Sequence, residues 1–153
     1  MTTKIIPKVT DLEALVYVSS ATHQFCLAEI DYLLNRAQAR NAEENVTGVL
    51  LYNDGSILQY LEGPADVLTK IFEIIKADPR HFGIIELYRG PIPAREFAEW
   101  PMAFRSSNTL MLSQSEQYID LLSQRLDPFD APMTKARMLI TKLWNKGRPR
   151  YCY

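Results

Sequence analysis

VTGVLLYNDGSILQYLEGP, running from Val46 to Pro64, holds two short apolar runs separated by Asn53-Asp54-Gly55-Ser56. Asn, Asp and Gly tolerate positive φ, so this spacing predicts two antiparallel strands joined by a tight reversal. In a strand, side chains alternate between faces. Ile57, Gln59 and Leu61 therefore share one side of the second arm, and Leu58, Tyr60 and Glu62 share the other. Gln59 is an amide among apolar neighbours, and a buried amide needs polar partners for two donors and an acceptor.

Working outward, Leu15-Val16-Tyr17-Val18-Ser19 is rich in β-formers, with Tyr17 and Ser19 on one face. Cys26 to Arg40 carries Cys26, Ile30, Leu33, Leu34 and Ala37 at helical spacing and runs out at the polar segment Asn41 to Asn45. Pro64 starts a second helix, with Val67, Leu68, Ile71, Phe72, Ile74 and Ile75 as its apolar stripe and Asp78-Pro79 as its stop. Gly83 to Tyr88 reads as a strand, the Gly90 to Pro93 segment as a break, and Trp100 to Phe104 as a short edge strand, where proline is tolerated. The order β-α-β-β-α-β-β predicts an α+β ferredoxin-like sandwich, with two helices on one face of a sheet whose first and third strands are central neighbours. Two further helices are expected at 113–126 and 132–145. They form a C-terminal extension (107–153) to a domain at 12–106, either covering the exposed sheet face or making a subunit contact. The cations Lys135, Arg137, Lys142, Lys146, Arg148 and Arg150 are expected to complement the dipole at the end of the last helix, the alternative being a partner-binding basic tail.

Composition narrows the function. The 153 residues suit one domain, 47% hydrophobic and 23% charged residues argue against disorder, and a formal charge of -1 predicts no general attraction to nucleic acid or anionic membrane. Cys26 and Cys152 make neither a disulfide framework nor a metal-ligand spacing. With no leader-like N-terminus and no apolar run of spanning length, the expectation is a cytoplasmic protein that binds neither DNA nor membrane.

No phosphate-cradling glycine loop, G-x-S-x-G elbow, H-E-x-x-H or C-x-x-C occurs, and His23 and His81 lack the companions of a catalytic triad. Glu62 and Glu86 are isolated carboxylates on strands, so the expectation is a protein that is not an enzyme. The polar groups that converge are Tyr17 and Ser19 on the first strand, Gln59 on the third, and Arg40-Asn41 at the end of the first helix. A Tyr17 hydroxyl donating to the Gln59 carbonyl would leave the amide donors for a third group. That bond either satisfies two core polar groups or borders a slot for a planar heterocycle.

The segments LVYVSS (15–20), NVTGVLLY (45–52), ILQYLEG (57–63) and EWPM (99–102), in this order and spacing, resemble the BLUF family, blue-light sensors using flavin. The resemblance implies FAD held non-covalently between the two helices. It also implies Tyr17 as the redox-active tyrosine and Gln59 as the glutamine linking it to the flavin, with Trp100 and Met102 as the fifth-strand pair, one or the other of which lies near Gln59. Asn41 and Arg40 would contact the ring edge, Leu33 and Ile75 would sandwich the ring, and Asp78, Arg80 and His81 would lie near the ring edge and side chain. Ser19 joins this cofactor-binding set. In similar domains, light drives electron and proton transfer from the tyrosine, and the glutamine ends rearranged. No output domain is recognised in the chain, so the expected partners are an unidentified downstream protein and a homo-oligomer interface. The alternatives on this topology are an RNA-binding module, for which the aromatic-rich third-strand pattern and a basic charge are missing, and an acylphosphatase-like hydrolase using Arg40 and Asn41.

Overall fold

The computed structural model describes residues 11–53, 55–99, 101–106 and 138. The expected helices at 113–126 and 132–145, apart from Met138, and the side chain of Trp100 lie outside the described residues. The elements are β1 (Leu12–Ala21), α1 (Leu27–Glu43), β2 (Thr47–Asn53), β3 (Ser56–Pro64), α2 (Ala65–Ala77), β4 (His81–Pro91) and β5 (Ala103–Ser106). They build one five-stranded sheet in the order β4-β1-β3-β2-β5. The first four strands pair antiparallel and β5 joins β2 in parallel, which is the ferredoxin-like arrangement with one added edge.

The decisive stretch folds as its pattern predicts. Asn53 pairs with Ser56, and Gly55 turns the chain at φ 86°, a region that glycine enters without steric cost. The glycine of V-T-G has a different reason: a Cβ on Gly48 would sit 2.0 Å from the Tyr60 carbonyl oxygen, so the β2–β3 approach leaves no room for a side chain.

Both faces of the central strands are buried, unlike a sheet with one wet face. On the front, Leu15, Tyr17, Ile57 and Leu61 pack with Ile30 and Leu34 of α1 and with Leu68, Ile71, Phe72 and Ile75 of α2. On the back, Val16, Val49, Leu51 and Tyr60 pack with Ile92 and Phe97 from the β4–β5 crossover. Full burial of a leucine such as Leu15, Leu34, Leu61 or Leu68 contributes about 1.5–3 kcal/mol.

Among the boundaries that differ from the sequence reading, those of α1, β4 and β5 bear on the site. Helix α1 continues through Asn41 to Glu43 before Asn45 turns at φ 58°, because Asn41 is fully buried and its side-chain Nδ2 finds a tertiary acceptor in the Pro101 carbonyl. Strand β4 runs from His81 to Pro91, past the expected break at Gly90, because β1 is long enough to pair Glu13 with Pro91 and Ala21 with His81. Strand β5 begins at Ala103 and leaves out Pro101 and Met102 of the expected strand, because their carbonyls are taken by side chains of α1 in place of a ladder.

Candidate functional site

Tyr17 and Gln59 are direct partners in the β1–β3 register, both on the front face and both buried. The Tyr17 hydroxyl donates to Gln59 Oε1. Gln59 Nε2 lies 3.5 Å from Met102 Sδ, a weak acceptor that leaves amide capacity to spare. Burial drives the Tyr17 phenol well above its ordinary pKa; Arg40 opposes the rise and Asp78 adds to it. The phenol is therefore held protonated, as a donor.

These two side chains border a cavity, partly open to solvent, between the front of the sheet and the two helices. Leu33 from α1 and Ile75 from α2 line it, as do Arg40, Asp78, Arg80 and His81. Half-burial lowers the Arg40 guanidinium pKa, with Tyr17 and Asp78 pulling it up and Arg36 down. Arg40 Nε is buried without a hydrogen-bond partner, and so is Asn41 Oδ1. Buried polar atoms are seldom left unpaired, so an apolar slot lined by Arg40, with an orphaned donor on that residue and an orphaned acceptor on the next, fits a planar ligand carrying polar edges.

The polar rim is organised by the α2–β4 connection. Asp78 receives the Arg80 side chain and, at 2.9 Å, the Arg80 backbone N–H. The Arg80 bond holds the Asp78 carboxyl below its ordinary pKa. His81 opens β4 and is no loop residue. Its Nε2 lies 2.6 Å from the Ile75 carbonyl, which can only accept, so that nitrogen carries the proton, and its Nδ1 meets Ser19 Oγ at 2.8 Å. Ser19 thus supports His81 without lining the cavity. Asn41 does not line it either: its Nδ2 donates to the Pro101 carbonyl at 2.8 Å, and Gln38 Nε2 donates to the Met102 carbonyl at 2.9 Å. Helix α1 therefore fixes the backbone that places Met102 against Gln59.

Sequence reasoning missed part of the lining, including Phe25, Ile30, Leu50, Tyr52 and Ile57. Tyr52 stacks on Phe25 with centroids 5.5 Å apart, and the Phe25 N–H donates to the Tyr52 hydroxyl at 3.1 Å. The signal for Leu50 and Tyr52 was present: they alternate onto the face of β2 that pairs beside Gln59 and Ile57.

Comparison with known proteins decides the kinship of this site. Residues 12–103, from the start of β1 to the start of β5, match the family model described as sensors of blue-light using FAD. The chain belongs to the BLUF family. This BLUF domain is 34% identical over 137 residues to the photoactivated adenylate cyclase subunit beta of Euglena longa, covering 89% of this chain and 16% of that protein. Over 88 residues it is 36% identical to the blue light- and temperature-regulated antirepressor BluF of Escherichia coli, covering 58% of this chain and 22% of that one. Its fold superposes with a TM-score of 0.65 on Klebsiella pneumoniae BlrP1 with FMN and cyclic diGMP, at 28% identity, over 92% of this chain and 36% of that chain. The chain thus spans about a fifth or less of the curated relatives it matches. Among the described residues no helix is long and apolar enough to cross a membrane, and no cluster of His, Cys, Asp and Glu is disposed to hold a metal.

Proposed function

We propose that this chain is a blue-light photoreceptor that holds a flavin, FAD by the family's description, in the slot bordered by Tyr17 and Gln59. The observation that carries the reading is the buried series Tyr17 Oη, Gln59 and Met102 Sδ on the sheet side of a helix-lined cavity. Leu33 and Ile75 would pack on the ring, and the unpaired Arg40 Nε and Asn41 Oδ1 would meet its polar edge. A bound flavin supplies blue-light absorption and, once excited, an acceptor for an electron and a proton from a nearby phenol.

The residues of the chain account for the switch. Tyr17 keeps its proton aimed at Gln59 Oε1 in the dark. A Gln59 amide turned end for end would present nitrogen to Tyr17 and oxygen to Met102, so the Met102 sulfur would lose its donor. A single neutral hydrogen bond is worth about 0.5–1.5 kcal/mol net. The rearrangement can therefore bias only an arrangement that is already close to balanced. The 101–102 segment, tied to α1 through Gln38 and Asn41, is the route by which that bias leaves the site. The extension at 107–153 would pass it to a partner protein or a second copy.

The absorption spectrum of the purified protein in darkness and under blue light tests this. A flavin spectrum with a small red shift under light and recovery in darkness is expected. A protein that cannot be reconstituted with flavin, or whose flavin bleaches without the shift, would overturn the proposal.

A further inference from the structure

On the back of the sheet lies a charged group that the photochemistry does not use. Glu62 is fully buried, three residues from Gln59 on β3 and on the opposite face. Its Oε1 accepts from Thr47 Oγ1 at 2.8 Å and from the Phe97 N–H at 2.7 Å. Its Oε2 accepts from Tyr60 Oη at 2.9 Å and from the Glu96 N–H at 2.9 Å. Arg95 extends the same grip: Nη1 donates to Thr47 Oγ1 at 3.0 Å and to the Glu62 carbonyl at 3.3 Å, and Nη2 donates to the Asn45 carbonyl at 2.6 Å.

An apolar residue would fill this core position without the desolvation that a buried carboxylate suffers. What the carboxylate adds is a specified partner: two consecutive backbone amides of the crossover between β4 and β5. That same crossover reaches the front face at Pro101 and Met102, where it meets Asn41, Gln38 and Gln59. Strand β3 thus holds one segment from both sides, by Glu62 behind and by Gln59 through Met102 in front.

We propose that Glu62 is a positioning residue of the photoswitch: its clamp on the Glu96 and Phe97 amides sets how firmly Met102 is held against Gln59, and so how long the light state lasts. This rests on the photoreceptor reading above. Glu62→Gln keeps the size of the side chain but replaces one acceptor oxygen with a donor, so the amide turns an NH₂ group towards two existing donors. The crossover then loosens while Tyr17, Gln59 and the cavity lining stay as they are.

The test is dark recovery after a blue flash, followed by flavin absorption in the wild type, Glu62→Gln, Arg95→Met and a control, Val49→Ala, which weakens the same back-face core but removes none of the clamp's hydrogen bonds. Glu62→Gln is expected to bind flavin, to show the full red shift and to recover at least threefold faster, with faster hydrogen exchange at the Glu96 and Phe97 amides. Arg95→Met, which leaves the buried carboxylate in place, should change recovery in the same direction but less; it carries the test if Glu62→Gln does not fold. Val49→Ala should recover as the wild type does. Wild-type recovery in both clamp variants, or equal acceleration in Val49→Ala, would overturn the assignment to Glu62. A wild-type protein without a red shift would instead remove the photoreceptor reading itself.

Discussion

Tyr17 and Gln59 stand opposite one another in the central pair of strands, and the phenol of one is hydrogen-bonded to the side-chain carbonyl of the other. Both side chains are buried, and the low local dielectric strengthens a bond whose direction is fixed by a phenol that keeps its proton.

Removing either end should separate photochemistry from folding. Tyr17→Phe leaves the Gln59 oxygen buried without its donor, at a cost of about 1–3 kcal/mol in stability. The variant should still fold and bind flavin but lose the reversible red shift, and Gln59→Leu should do the same. Difference spectra before and after illumination read this directly; a full photocycle in either variant would strip that residue of its role.

The buried phenols also predict an alkaline limit. Burial raises the folded-state pKa of Tyr17, and it raises that of Tyr60 on the back face, where Glu62 adds to the effect. In the unfolded chain a tyrosine titrates near its ordinary value of about 10. Above that pH the unfolded state releases protons that the folded state keeps, so it binds fewer protons and stability falls as pH rises. Below it the two phenols contribute no slope. Urea midpoints across the alkaline range should therefore decline more steeply for the wild type than for Tyr17→Phe.

Gly48→Ala should be among the most damaging small substitutions. Its Cβ would meet the Tyr60 carbonyl oxygen, a backbone atom held in the β2–β3 ladder, so relief requires moving a strand. A loss of about 1–3 kcal/mol or more is expected from overpacking of this kind. Denaturant titration checks the loss, and weakened flavin retention is expected with it because Gln59 lies on the displaced strand.

Asn41→Ala removes the donor to the Pro101 carbonyl and should cost about 0.5–1.5 kcal/mol or somewhat more for the buried carbonyl it abandons. It should also weaken flavin binding, since Asn41 follows the slot-lining Arg40 in α1 and its Oδ1 is unpaired. Fluorescence titration with FAD and with FMN measures this and shows which of the two is held more tightly. An affinity unchanged from wild type would confine Asn41 to a structural role.

By itself the sequence determined the order of elements and the faces on which Tyr17 and Gln59 stand. Both follow from local rules: a period of two in LVYVS and LQYLEG, a period near 3.6 in the helices, and a turn at Asn53–Ser56 that fixes the hairpin register. Their meeting needed the pairing of β1 with β3, which joins residues 42 apart in the chain. Only the tertiary structure decided where α1 ends and where β5 begins, because both depend on side chains of one element satisfying the backbone of another 60 or more residues away, as Asn41 and Gln38 do for Pro101 and Met102. The same holds for Glu62. In the sequence it is an isolated carboxylate on a strand, and it becomes the anchor of the crossover only when folding brings the Glu96 and Phe97 amides to its two oxygens.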